Sequence, residues 1–148
     1  MLFRSGITAE VWNGTPPAQG TRCVIVEKMG VLADLYTLGK IAYVGGGFGR
    51  KGLHAVIEPA AFALPVIAGP EHTGSPDFEF LLNARGSIAL PRGDAAKALQ
   101  RTWIDWANDV QMRTQAGLRA RQALQQGAAS TTAVALLRLI SSSSAVDG

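Results

Sequence analysis

Between residues 41 and 70 the chain reads IAYVGGGFGRKGLHAVIEPAAFALPVIAGP: an apolar run, a loop with glycines at 45, 46, 47, 49 and 52, a helical stretch and a second apolar run. Glycine opens backbone conformations closed to other residues and lets a loop approach a ligand closely. The change in hydrophobic period across the segment outlines a βαβ unit. It predicts a strand over 41–44, a helix that starts at about Leu53 or His54 and runs through 55–63, and a strand over 66–68. The unpaired N–H groups and positive dipole end of such a helix form a seat for phosphate or another anion. Glu58 would stand one turn inside it.

The rest of the chain repeats the alternation. Strands are expected over 7–12, 24–27 and 87–90, and helices over 32–38 and 78–84. Met1 to Ser5 read as the end of a helix, and 13–20 as a loop. From Asp94, the expected N-cap, the pattern is helical with breaks near Asn108 and Gly127. This order predicts an α/β fold, a Rossmann-like parallel sheet flanked by helices with a helical C-terminus. About four convincing core strands fall short of the usual six of a doubly wound lobe, so the chain reads as a lobe entered partway, with the strand at 41–44 on an open edge. Residues 1–21 are read as partial elements and a loop, 22–140 as the nucleotide-binding lobe, and 141–148, SSSSAVDG, as a disordered tail.

Composition sets the outer bounds. A chain of 148 residues with 47% hydrophobic content supports one core but not two nucleotide-binding lobes. Cys23 is the single cysteine, so no internal disulfide is possible, and its apolar neighbours suggest a small core residue. Neither a signal peptide nor an apolar run of about 20 residues is evident, which predicts a chain without a membrane segment. The charge of +3 and pI near 9.4 suit an anionic substrate or membrane surface; nucleic acid is poorly supported. His54 and His72 lack the thiolates or paired carboxylates of a metal site.

Gly47-Phe48-Gly49-Arg50-Lys51-Gly52 is also a literal G-x-G-x-x-G after a strand, with Glu71 about twenty residues on, as an NAD-type dinucleotide-binding oxidoreductase domain would have. Against that reading, another strand and helix precede the motif, and Gly45 and Gly46 lengthen its loop. Blander readings stand beside each candidate. Glu58 can simply complement the positive end of its helix, His54 can cap it, and Arg50 and Lys51 can form a solvated pair. Trp103 and Trp106, three apart, are expected to pack on one face. Arg119 and Arg121 read as helix-surface charges, and His72 carries no reading of its own.

Leu35-Tyr36, Ala42-Tyr43-Val44-Gly45-Gly46, Gly52-Leu53-His54, Glu58-Pro59-Ala60 and Pro65-Val66-Ile67-Ala68-Gly69-Pro70, with Met29-Gly30 before them and the helical stretch AGLRARQALQQGAASTTAVALLRLI after, resemble the C-terminal lobe of the bacterial 3-deoxy-D-manno-octulosonic acid (Kdo) transferases. These are two-lobed glycosyltransferases of the GT-B class, and the resemblance covers about 7–140. It implies transfer of Kdo from CMP-Kdo to a lipid A precursor in lipopolysaccharide biosynthesis, at the cytoplasmic face of the inner membrane, with no cofactor beyond the donor. It also implies CMP contacts at Met29, Gly30 and Val31 and at Ala55, Val56, Ile57 and Glu58, with Arg50, Lys51 and His54 adding positive charge. Two positions depart from the pattern: Ala55 replaces an asparagine, and Val31 stands where an acidic residue is frequent. The family's general base, its lipid-acceptor surface and any membrane anchor belong to an N-terminal lobe, so the resemblance implies a lobe inactive alone. A non-catalytic nucleotide-binding or assembly module is the third reading.

Overall fold

The computed structural model describes residues 6–49, 52, 53 and 55–143, and side chains as far as Gly127. By its internal contacts the chain falls into two units, Met1–Leu32 and Ala33–Gly148. In the first, β1 (Ala9–Val11) and β2 (Cys23–Ile25) pair in parallel, with Ala9 opposite Cys23 and Val11 opposite Ile25. The loop between them is held by Glu10, whose Oε2 accepts hydrogen bonds from the Ala18 N–H at 3.0 Å and from Thr21 Oγ1 at 3.1 Å. Cys23, expected in a core, is half-buried on β2, since two strands make too narrow a sheet to enclose it.

From α1 (Leu32–Leu38) the order is β3 (Ala42–Val44), α2 (Ile57–Ala61), β4 (Val66–Ala68), α3 (Pro76–Asn83), β5 (Ser87–Ala89), α4 (Ala95–Asn108) and α5 (Val110–Ser143). The sheet runs β3-β4-β5, every pair parallel, with Ala42 opposite Val66 and Val66 opposite Ser87. Strands in such a sheet are covered on both faces, which explains why β4 is an unbroken apolar run with no exposed residue. Val66 and Ala68 pack to one side with Phe78, Leu81 and Ala120, and Ile67 to the other with Leu90, Trp106 and Ala116. Phe78 and Leu81 are fully buried, each stabilising the fold by about 1.5–3 kcal/mol.

α5 packs on α2, α3 and α4 and joins the two clusters. Its approach requires glycine at two places. A Cβ on Gly86 would lie 2.5 Å from the Ala120 nitrogen, and one on Gly117 would overlap the Ala63 carbonyl oxygen. Arg119, read as a surface charge, instead donates from Nε to the Arg85 carbonyl at 3.2 Å and so ties α5 to the turn after α3.

Several local expectations are corrected. The helix expected from Leu53 begins at Ile57. Pro59 is the reason: it has no N–H to donate to residue 55, and its ring clashes with that carbonyl, so it fits only the first turn. Asp94 precedes α4 but has a left-handed backbone (φ 53°) and makes no side-chain cap bond. The break at Asn108 is present; there Asp109 Oδ1 accepts the Met112 N–H at 2.8 Å, capping α5. No break occurs at Gly127, because one glycine among strong helix formers costs only about 1 kcal/mol. Trp106 is buried at 4% exposure while Trp103 remains 43% exposed, at the edge of the stripe that Ala95, Ala98, Leu99 and Trp106 turn inward. Of the segment 141–148, residues to Ser143 continue α5; the rest, like Met1 to Ser5, lie outside the described residues.

Candidate functional site

The glycine loop leaves the carboxyl end of β3 and folds back on itself. Gly46 and Leu53 form an antiparallel bridge, and the Gly47 N–H donates to the Gly52 carbonyl at 2.9 Å. Gly46, Gly47 and Gly52 all have positive φ, which such a narrow return requires. On its other side the loop meets the carboxyl end of β4: the Glu71 N–H donates to the Gly47 carbonyl at 2.7 Å, and a Cβ on Gly69 would fall 2.6 Å from the Gly47 carbonyl carbon. Gly47 and Gly69 are therefore glycines because two backbones touch. Gly45, Gly49 and Gly52, by contrast, have open space beside them.

This geometry alters the seat expected for an anion. The loop returns as a hairpin instead of running into a helix, and α2 is only five residues long, so its dipole is small. Glu58 stands in the first turn of α2, not one turn inside it, and is exposed. Ala55 and Ile57 are also exposed, whereas Val56, at 2% exposure, turns into the core and has only its backbone to offer a ligand. Arg50, Lys51 and His54 lie outside the described residues. The Tyr36 hydroxyl is raised above its ordinary pKa of 10.0, first by burial and then by the Glu58 charge, so that carboxylate acts on α1. In the first unit, Met29 is 93% exposed, Gly30 turns with φ 82° and Val31 is half-buried.

In the loop between β4 and α3, the sequence tied Glu71 only to the dinucleotide reading and gave His72 no role, and it showed neither residue's partner. There Arg92 pairs with Glu71, its Nη2 lying 2.8 Å from Oε2. His72 places Nδ1 2.7 Å from Glu79 Oε1 and sets its ring edge-on to the buried Phe78, centroids 5.5 Å apart. With Gly52 and Leu53 of the glycine loop, Glu71, His72, Thr73, Ser75 and Asp77 line a cleft of about 310 Å³. The partners are seven and twenty-one residues apart, so no local periodicity announces them. Among the described residues, no group of three or more His, Cys, Asp or Glu is placed to hold a metal ion, and no helix is long and apolar enough to cross a membrane.

A dinucleotide fingerprint delivers its pyrophosphate to a helix that starts at the third glycine. Here Gly52 is the return arm of a hairpin, and Glu71, whose spacing suited a ribose hydroxyl, is engaged by Arg92. The NAD reading thus loses its geometric basis.

Parallel strands whose carboxyl ends carry a glycine loop and a polar cleft have the arrangement of a doubly wound α/β lobe, a fold class in which ligands lie outside those strand ends. Comparison with known proteins narrows the class. The chain is 30% identical over 111 residues to a 3-deoxy-D-manno-octulosonic acid transferase of Haemophilus influenzae, covering 74% of this chain and 26% of that protein. The corresponding transferase of Bordetella pertussis is 37% identical over 108 residues (72% and 23%), and that of Aquifex aeolicus 39% identical over 64 residues (43% and 18%). The chain therefore spans about a quarter or less of the length of these relatives. Among solved structures, the C-terminal CMP-Kdo binding domain of WaaA from Acinetobacter baumannii has the same fold, with a TM-score of 0.69 at 20% identity over 80% of this chain and 62% of that one. No family model matches. In sequence the chain is similar to Kdo transferases, and its fold is that of the C-terminal lobe of a GT-B enzyme.

Proposed function

We propose that this chain is the donor-binding lobe of a Kdo transferase and holds CMP-Kdo against the glycine loop and the start of α2. The observation that carries the reading is the placement of Glu58: exposed, in the first turn of α2, in a chain similar to Kdo transferases. A carboxylate there can accept hydrogen bonds from both ribose hydroxyls. The open space at Gly45 and Gly49 supports placing the phosphate at the glycine loop. Met29, Gly30 and Val31, and the basic Arg50, Lys51 and His54, remain proposed contacts on the strength of the resemblance alone.

In the reaction, an acceptor hydroxyl attacks the anomeric carbon of Kdo, the bond from that carbon to the phosphate oxygen breaks, and CMP departs. The hydroxyl's proton passes to a general base, which must stand within hydrogen-bond reach. We assign the base, the lipid A precursor site and contact with the inner membrane's cytoplasmic face to a second lobe, so the 148-residue chain alone should transfer no Kdo. No cofactor enters this scheme, and the pathway served is lipopolysaccharide biosynthesis. Calorimetric titration tests the donor assignment: saturable binding of CMP without a response to NAD is expected, and saturable NAD binding without a response to CMP would overturn it.

A further inference from the structure

The cleft beside the glycine loop contains an oriented imidazole that the donor reading has not used. His72 is held at two points, by Glu79 Oε1 at 2.7 Å from Nδ1 and by the edge-on packing against Phe78, which is fully buried. An ionised carboxylate only accepts hydrogen bonds, so the Nδ1 proton lies toward Glu79 and Nε2 is the ring atom left for the cleft. A second carboxylate pins the backbone end of the same loop: Glu71 is paired with Arg92, and its own N–H is bonded to the Gly47 carbonyl. The turn between them is closed by the Ser75 N–H on the His72 carbonyl at 2.9 Å. The imidazole is thus preorganised, with little freedom left to lose when a ligand arrives.

The chemistry of the lining says what would arrive. The Asp77 carboxylate accepts hydrogen bonds, the Thr73 and Ser75 hydroxyls both donate and accept them, the second ring nitrogen of His72 adds a polar contact, and the charge of Arg92 is already engaged by Glu71. Such a set suits a group that presents several hydroxyls, each able to donate and to accept. A volume of about 310 Å³ accommodates a single sugar ring, and Gly52 and Leu53 make the glycine loop one wall of the cleft. We infer that this cleft is the hydroxyl-recognition subsite for the donor's sugar, with His72, positioned by Glu79, as a binding residue. The inference rests on the proposed donor reading and extends it from the nucleotide to the sugar.

Nuclear magnetic resonance of the chain, titrated separately with free Kdo and with CMP, tests it. Kdo is expected to shift the His72 ring resonances and the amides of Thr73 and Ser75, and CMP to leave the His72 ring unchanged. His72→Ala should weaken Kdo binding about tenfold, the loss of one good hydrogen bond. Glu79→Gln, which keeps the imidazole but loosens its anchor, should weaken it less and broaden the His72 ring signals. Neither change should alter CMP affinity. Absence of Kdo binding, Kdo binding that leaves the His72 ring unshifted, or Kdo affinity in both variants equal to that of the unaltered chain overturns the subsite while leaving the nucleotide assignment intact. Absence of CMP binding, with the His72 shifts by Kdo still present, overturns the nucleotide assignment and supports the subsite.

Discussion

Pro59 decides where Glu58 stands. Because the proline excludes helix before Ile57, Glu58 opens α2 and faces solvent near Tyr36. The sequence motif pointed to this residue, but not to its depth in the helix, since a proline's effect on a helix start is easily hidden in an otherwise helical pattern. Glu58→Gln should lower CMP affinity about tenfold with little change in stability, because an exposed carboxylate holds no buried partner. The same change should move the Tyr36 titration part of the way back toward 10.0, as burial, the larger cause, remains. The raised Tyr36 value means that ionisation is easier in the unfolded chain, so stability is full below pH 10.0 and declines above it. In Glu58→Gln this alkaline decline should be shallower, which an absorbance titration and denaturation at several pH values can check. A different residue illustrates a cost that sequence does not reveal: the Ser87 hydroxyl on β5 is buried without a hydrogen-bond partner among the described residues. Ser87→Ala should stabilise the chain by about 1 kcal/mol, read as a higher denaturation midpoint; a lower midpoint would show that the hydroxyl is satisfied in solution.

Elements were most legible where several signals coincided. β4 is bounded by Pro65 and Gly69 and wholly apolar, and α1 keeps its expected span of Leu32–Leu38. The glycine loop was legible as a loop, yet its path was not, because the Gly46 to Leu53 bridge and the Gly47 to Gly69 contact join positions distant in sequence. The contact makes a test of the element as a unit. A methyl at Gly69 meets the Gly47 backbone, which cannot yield as a side chain would, so Gly69→Ala should destabilise by about 1–3 kcal/mol and lower CMP affinity by displacing the loop. Gly45→Ala is the control: its methyl has nothing within 4 Å among the described residues beyond its chain neighbours, and it should leave the denaturation midpoint nearly unchanged. The His72 to Glu79 pair remained invisible for the same physical reason as the loop's path, since it depends on how a turn is folded onto α3.

At the scale of the molecule, alternation of strand and helix patterns was enough to give the parallel α/β class, and the β3-β4-β5 order leaves β3 at the edge of its sheet. The glycines at 86 and 117 that admit α5 were not read in advance, because only the packed fold shows what a Cβ there would strike. The central claim is that the cytidine nucleotide sits where the glycine loop meets the start of α2. Mapping amide shifts of the chain during a CMP titration tests this most directly. The account predicts that the largest shifts fall at Gly45 to Gly49 and Ala55 to Glu58; shifts confined instead to the opposite end of the sheet, around Lys40, Leu64 and Arg113, would contradict it.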